Sequence, residues 1–358
     1  MAVDLATLPE NIRAAALKLA ERIDFEGAIL KGANGVVLTG RNRLLNRKVV
    51  VKFYYWGDGA HMEPRLLETL ASPHVLKVDD AAAIDKDDAY FIAPFCDDGD
   101  LDDVIAGDPI GLKSAIDKII DVATGANAIH AAGYIHRDLK PSNIFCTDKG
   151  RLVIGDFGSV VAKGKDGYAQ TATKHSLLYR TPEEILTGKA YPQGDVYQIG
   201  IVLYQILGGK LHYNERDWLT AKETIVYDGL SYPENQLYAT RIIEQKIVKG
   251  KLLDYSSIPA WCPPELVAII KKCCKVSLTG RIDNPSTLIA KLHNIRSTLP
   301  DWRFEPEPVL YKSNCKIRLV QNGEQFTLEK MGKTGSAWRK DRKLKPCSVA
   351  EAVAAALA

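Results

Sequence analysis

His136-Arg137-Asp138-Leu139-Lys140-Pro141-Ser142-Asn143 packs an acid, basic groups and an amide into one turn-prone loop. Eighteen residues after Asp138 stands Asp156-Phe157-Gly158, led in by the strand-like Leu152-Val153-Ile154. Either triplet alone, an aspartate in a basic loop or an aspartate in a turn, would be weak. Outward from the loop the chain divides in two. Residues 25–92 hold short β-branched runs at 36–39, 49–53 and 89–92, separated by Gly and Asn turns, with one helix predicted around 61–71. From about residue 101 to 300 a helical period dominates, as in 114–132 and 199–207. A strand-rich small half before a helix-rich large half predicts a two-lobed α+β layout.

Together, the loop and the Asp-Phe-Gly triplet resemble the eukaryotic-type (Hanks-type) serine/threonine protein kinases. The resemblance covers roughly residues 25–297. It implies the two-lobed protein kinase fold, with an N-lobe over 25–95 and a C-lobe over 96–300. It also implies transfer of the γ-phosphoryl group of ATP, with Mg2+, to serine or threonine hydroxyls of protein substrates. Phosphoryl transfer asks for positioning and charge neutralisation more than covalent chemistry. By the resemblance, Asp138 accepts or orients the hydroxyl proton. Asn143 and Asp156 supply hard oxygen ligands for Mg2+, and Lys140 neutralises the transferring group. Lysine two places after the aspartate is the serine/threonine pattern.

In the small half, Val49-Val50-Val51-Lys52 resembles the strand whose lysine holds the α/β-phosphates. Taken alone, Lys52 reads as a solvated strand lysine. Its glutamate partner is Glu63 or Glu68. The leucines at 66, 67 and 70 and Pro73-His74-Val75 favour Glu63, although Pro64 then belongs to a short or kinked helix. The nucleotide lid, Leu30-Lys31-Gly32-Ala33-Asn34-Gly35-Val36-Val37, keeps Gly32 and Gly35 but has leucine for the first glycine of its motif. Gly32 and Gly35 allow close backbone approach to phosphate. Val37, Val50 and Phe145 are then expected around the adenine ring. Ala93 guards the back of the pocket and is small there, which predicts extra room. Pro94 and Cys96 lend backbone contacts.

Further marks follow in the large half. Thr181-Pro182-Glu183 replaces Ala-Pro-Glu, Asp195-Val196-Tyr197-Gln198-Ile199-Gly200 opens the central helix, and Arg281 is placed to pair with Glu183. Arg137, before the catalytic aspartate, implies a response to phosphate on the activation segment. Thr171 and Thr173 are the expected phosphosites, or else ordinary loop threonines, and Ser176 is expected to bond Asp138 and Lys140. The segment from 207 to 258 is longer than the family usually places there. Its part near 212–233, with Trp218, Tyr227 and Tyr232, is either a docking element or a packed surface excursion.

The bulk numbers suit a soluble globular protein: 358 residues, 46% hydrophobic and 25% charged. A net charge of +3 is too small to imply nucleic acid, and the excess sits in the tail, with 11 Lys/Arg against 7 Asp/Glu from Asp301 onward. Basic residues around Trp338 suit nucleic acid or an acidic protein, but more ordinarily a solvated face. Seven cysteines without a CxxC pair argue against disulfides or zinc and for a reducing, cytoplasmic location. No apolar run approaches the 20 or so residues of a membrane span. This layout is compatible with a bacterial eukaryotic-like kinase. Residues 1–24 (3–24 by their apolar period) predict an amphipathic helix, which packs on the kinase or binds a partner. Residues 303–358 predict a small basic α+β appendage, able to dock on its own chain or on a partner, with a hairpin turning at Asn322-Gly323 and a helix opened by a Ser348–Glu351 capping box. The other readings are a catalytically silent kinase-fold scaffold, a nucleic-acid-binding protein led by its tail, and a small-molecule kinase. The complete set Lys52, Asp138, Asn143 and Asp156 argues against the first, and the activation segment against the last.

Overall fold

The structure, a computed structural model, describes residues 3–29, 35–55, 69–70, 72–147, 150–171 and 176–358. Its first helix is shorter than the apolar period suggests. Asp4 caps a separate 3-10 turn, Leu5–Thr7, and Pro9 precedes helix α1, Glu10–Leu19. Proline has no N–H to give to a continuing helix, so the helix begins after it. Ile23, the last apolar position of the period, instead opens strand β1, Ile23–Ile29. The apolar face is still used. Ile12, Ala16 and Leu19 pack with Leu38, Val49, Val51 and Ile92 of the neighbouring sheet.

That sheet adds β2 (Val36–Asn42), β3 (Arg47–Tyr55), β4 (Asp80–Ala83) and β5 (Asp88–Pro94). It is antiparallel in the order β1-β2-β3-β5-β4. Alternation along β3 sends Val49, Val51 and Phe53 to the core shared with α1. Val50 and Lys52 therefore face the other side. Gly35, just before β2, has φ +115, and a Cβ there would lie 2.0 Å from the Phe53 carbonyl oxygen. Only glycine fits so close to β3. The helix expected around 61–71 lies almost wholly outside the described residues.

Helices dominate the large half. They are α2 (Leu101–Ala106), α3 (Leu112–Ala131), α4 (Pro182–Thr187), α5 (Pro192–Ile206), α6 (Ala221–Asp228), α7 (Glu234–Val248), α8 (Pro264–Cys273) and α9 (Pro285–Arg296). Within α5 every residue from Gly194 to Ile206 is buried. A helix buried on all sides belongs at the centre of a core, and its polar Asp195, Gln198 and Gln205 are buried with it. Gly200 lets α8 approach it, since a Cβ there would fall 2.4 Å from Cys273 Cβ. Burial pushes the Cys273 thiol up to about 12. A strand-rich small half and a helical large half form the two-lobed α+β layout.

The chain ends in a five-stranded antiparallel meander, Asp301–Phe304, Pro308–Tyr311, Cys315–Asn322, Gln325–Gly332 and Arg339–Lys340, followed by α10, Val349–Leu357. The capping box forms at Ser348 and Glu351. The hairpin turn falls one residue later than expected. Asn322 pairs with Gln325, leaving Gly323-Glu324 as the loop, with Gly323 at φ 63. Glycine leads a two-residue loop in a type II′ turn, so one residue of positive φ suffices. Trp302 is fully buried, and its carbonyl oxygen lies against Gly111, at the start of α3. Leu310, Ile317, Leu328 and Val353 belong to the same core as α3 and α5. Among the basic residues of the tail, Arg318 pairs with Glu329 and lies over Trp338, and Lys330 pairs with Asp341.

Candidate active site

The loop 136–143 hangs from two polar side chains on α5. Asp195, with no exposed side chain, accepts the backbone N–H groups of His136 at 2.9 Å and Arg137 at 2.8 Å. It also pairs with His130 Nε2 at 2.7 Å. One turn later, Gln198 accepts the Leu139 N–H at 2.8 Å and donates to the Arg137 carbonyl at 2.6 Å and the Tyr179 carbonyl at 3.0 Å. Arg137 can thus hold φ 73, a strained value for a side-chain-bearing residue. Burial would raise the Asp195 carboxyl, but His130, His136 and the Arg137 N–H hold it below the usual range.

His136 is buried edge-on to Phe157, with ring centroids 5.2 Å apart. Its Nδ1 accepts the Asp138 N–H at 3.3 Å and Nε2 faces the Gly155 carbonyl at 3.3 Å. That geometry suits the neutral ring with its proton on Nε2. Burial pushes the imidazole below its usual value, against the pull of Asp195, Asp138 and Asp156. The unfolded chain accordingly takes up a proton near pH 6.5 that the folded chain refuses. Stability is then full above that pH and falls as pH drops below it. His136→Asn is expected to flatten this slope in urea unfolding measured from about pH 5 to about pH 8. An unchanged slope would mean that the ring is not held neutral.

The loop brings the sequence-identified groups together. Asn143 Nδ2 donates to the Asp138 carbonyl at 2.8 Å and to Oδ2 at 3.0 Å. Lys140 Nζ lies 3.0 Å from the same Oδ2 and donates to Ser176 Oγ at 2.6 Å. Asp138 Oδ1 is buried and has no hydrogen-bond partner among the described residues. Lys52 reaches across from β3 to Asp156 Oδ1 at 2.7 Å. Burial would raise the Asp156 carboxyl, but Lys52, with help from His136 and Lys140, holds it down. Asp156 sits at φ 54. The amide and carboxylate oxygens of Asn143 and Asp156 are hard donors and fit Mg2+ completed by phosphate and water.

Around this centre, Val37 and Val50 are half-buried on neighbouring strands, and Val50 pairs with Ala93, itself buried. Phe145 is half-buried on Ile144–Cys146 and bridges to Asp100. Pro94 ends β5, and the Cys96 carbonyl accepts the Gly99 N–H at 3.2 Å. Gly32, Glu63, its rival Glu68, and Thr173 lie outside the described residues.

The activation segment is pinned at several points. Glu183 and Arg281 form a two-pronged buried pair at 2.7 and 2.8 Å. Arg180 pairs with Glu244 of α7. Arg137 donates to Thr171 Oγ1, and also to Glu184 Oε1 through Nη2 at 2.8 Å. Burial raises the Glu184 carboxyl despite Arg137. Asp195, Gln198 and Glu184 escaped sequence reasoning as positioning groups. The signal was there for two of them, since Asp195 and Gln198 are polar residues one turn apart in a mostly apolar helix.

The sequence matches the protein kinase domain over residues 24–291. It is 30% identical over 147 residues to the probable serine/threonine-protein kinase PknB of Lactococcus lactis, covering 40% of this chain and 23% of that protein. It is 27% identical over 234 residues to the serine/threonine-protein kinase PknL of Mycobacterium tuberculosis, covering 60% of this chain and 58% of that one. It is 26% identical over 298 residues to mitogen-activated protein kinase 12 of Rattus norvegicus, covering 78% and 79%. The chain thus spans less than two thirds of both bacterial relatives. With its two-lobed fold and a family match over most of its length, the chain belongs to the protein kinase family, of the eukaryotic (Hanks) type.

Proposed function

We propose that the chain transfers the γ-phosphoryl group of Mg2+-bound ATP to serine and threonine hydroxyls of proteins. The observation that carries this is the buried, unpartnered Asp138 Oδ1, held beside Lys140 and Asn143. An acceptor so placed takes the hydroxyl proton as transfer proceeds. Lys140 balances charge on the moving group, and Lys52 holds the α/β-phosphates, with the lid's Gly35 seated against the β3 backbone. Mg2+, held by Asn143 and Asp156, would neutralise the phosphates and fix their geometry. Glu63 on Lys52, Gly32 in the lid, and Val37, Val50, Ala93, Pro94, Cys96 and Phe145 around adenine complete the assignment.

Lys140 and its bond to Ser176 support serine/threonine over tyrosine acceptors. Arg137 on Thr171 supports autophosphorylation of the segment at Thr171 and Thr173, where added phosphate would meet a buried guanidinium. The buried apolar face of 301–358 supports docking of the tail on its own chain rather than on nucleic acid. Among the described residues no helix is long and apolar enough to cross a membrane, and all seven cysteines are free thiols. Free thiols support a cytoplasmic location.

The test is label transfer from γ-labelled ATP with Mg2+, with and without a generic protein substrate, beside Asp138→Asn. Phosphoserine or phosphothreonine made by the native chain alone is expected, with segment sites mapped by mass spectrometry. ATP binding without transfer would turn the reading to a silent scaffold.

A further inference from the structure

Residues 330–345 carry seven Lys/Arg and one Asp/Glu, which leaves 40 Lys/Arg against 43 Asp/Glu for the rest of the chain. Positive charge is thus gathered on one short stretch of an otherwise slightly acidic molecule. We propose that this stretch is a docking edge for a partner protein, and that its occupant is an extended, acidic segment laid along the strand Arg339–Lys340.

Charge comes first. The one acid, Asp341, is taken by Lys330 at 2.8 Å. Lys333, Arg339, Lys340, Arg342, Lys343 and Lys345 are all exposed, and among the described residues none of the six has an ion-pair partner. Cations so crowded repel one another and add nothing to the fold.

The backbone agrees. Arg339–Lys340 is the last strand of the five-stranded meander, so one of its sides is open. Asp341 gives its N–H inward, to the Leu328 carbonyl at 2.8 Å. Successive residues of an antiparallel strand alternate, so the N–H and carbonyl of Lys340 point to the open side. The chain runs on through Arg342, Lys343 and Lys345 before Cys347 pairs with Phe326. The open edge and the cations therefore coincide. Lysine on an edge ordinarily keeps other strands from pairing. One or two charges do that, and here the cations continue past the strand. Such an edge repels neutral strands and admits an acidic one, whose backbone supplies affinity and whose carboxylates supply selectivity.

Other polyanions fit less well. Single-stranded nucleic acid wants a free aromatic face for stacking. Trp338 is half-buried, with the Arg318 guanidinium 4.7 Å from its ring centre. A membrane surface wants an apolar side chain beside the cations. Among the described residues, no large apolar side chain between 330 and 345 is exposed.

The test is fluorescence anisotropy on the full chain with a short labelled peptide of alternating Glu and Thr, beside the same peptide with Gln for Glu. The Glu peptide is expected to bind about tenfold or more tightly at low salt, and to weaken as salt rises. Arg342→Glu/Lys343→Glu/Lys345→Glu is expected to remove that preference. Lys222→Glu/Lys249→Glu/Lys251→Glu changes net charge equally, at exposed lysines of the large lobe, and is expected to keep it. Equal binding of the two peptides, or equal loss in both variants, would overturn the proposal. So would tighter binding of a single-stranded oligonucleotide or of phosphatidylserine vesicles. Lysine acetylation of the native chain, read by mass spectrometry, decides without any variant. The Glu peptide is expected to protect Lys340, Lys343 and Lys345 and to leave Lys222 reactive, and protection of none of the three would also overturn the assignment.

Discussion

Asp138→Asn is expected to slow phosphoryl transfer about a thousandfold, the usual range for losing a positioned general base, while ATP still binds. The side chain is locked through Oδ2 by Asn143 and Lys140, leaving Oδ1 to meet the incoming hydroxyl. Asparagine keeps the volume and loses the charge. It also strips Lys140 of its counter-ion, so part of the loss comes from a displaced lysine. ATP contacts are assigned to Lys52, the lid, the connector between lobes and Phe145, none of them to the Asp138 side chain. Single-turnover transfer beside calorimetric ATP binding separates the two effects. A variant that transfers at the native rate would remove Asp138 from the chemistry, and one that cannot bind ATP would place its role in binding.

The other large effect is on stability. Arg281→Ala is expected to cost about 3–5 kcal/mol, because it leaves Glu183 buried and unpaired. All five guanidinium donors are engaged. Nε donates to the Lys275 carbonyl, Nη1 to Glu183 and the Gln193 carbonyl, and Nη2 to Glu183 and the Val276 carbonyl. The group also lies over the Tyr197 ring. Lysine has three donors and no fork, so Arg281→Lys is expected to recover only a minority of the loss. Replacing both partners by apolar residues is expected to cost less than removing arginine alone. Urea unfolding of the three variants checks this. A cost below about 1 kcal/mol for Arg281→Ala, typical of an exposed pair, would mean that the pair is open to water.

The catalytic loop and the Glu183–Arg281 pairing were legible because their residue types sit in short, spaced motifs. Ser176 was legible by counting back from Pro182, but only its expected bond to Lys140 forms, because Asp138 Oδ2 is taken by Asn143 and Lys140 and Oδ1 has no partner among the described residues. The partners of the loop were not. Asp195 and Gln198 act on backbone N–H and carbonyl groups about 60 positions away, and a backbone group carries no residue type to search for. Glu184 adjoins Glu183, and only the fold decides that it meets Arg137. The first helix was overextended because an apolar period does not see a proline start or a change to strand. The hairpin slipped by one residue because Asn-Gly admits either of two two-residue loops.

Trp302 has one more consequence. It is buried against the beginning of α3, in a core that runs from α5 into α10. Two segments that share a core melt together. A nucleotide held between the lobes stabilises every part of the cooperative unit it belongs to. ATP analogues are therefore expected to shield the last sixty residues from proteases without touching them, and deletion of those residues is expected to lower the melting temperature of the rest of the chain. The tail behaves as ballast of the large lobe, not as cargo on a string.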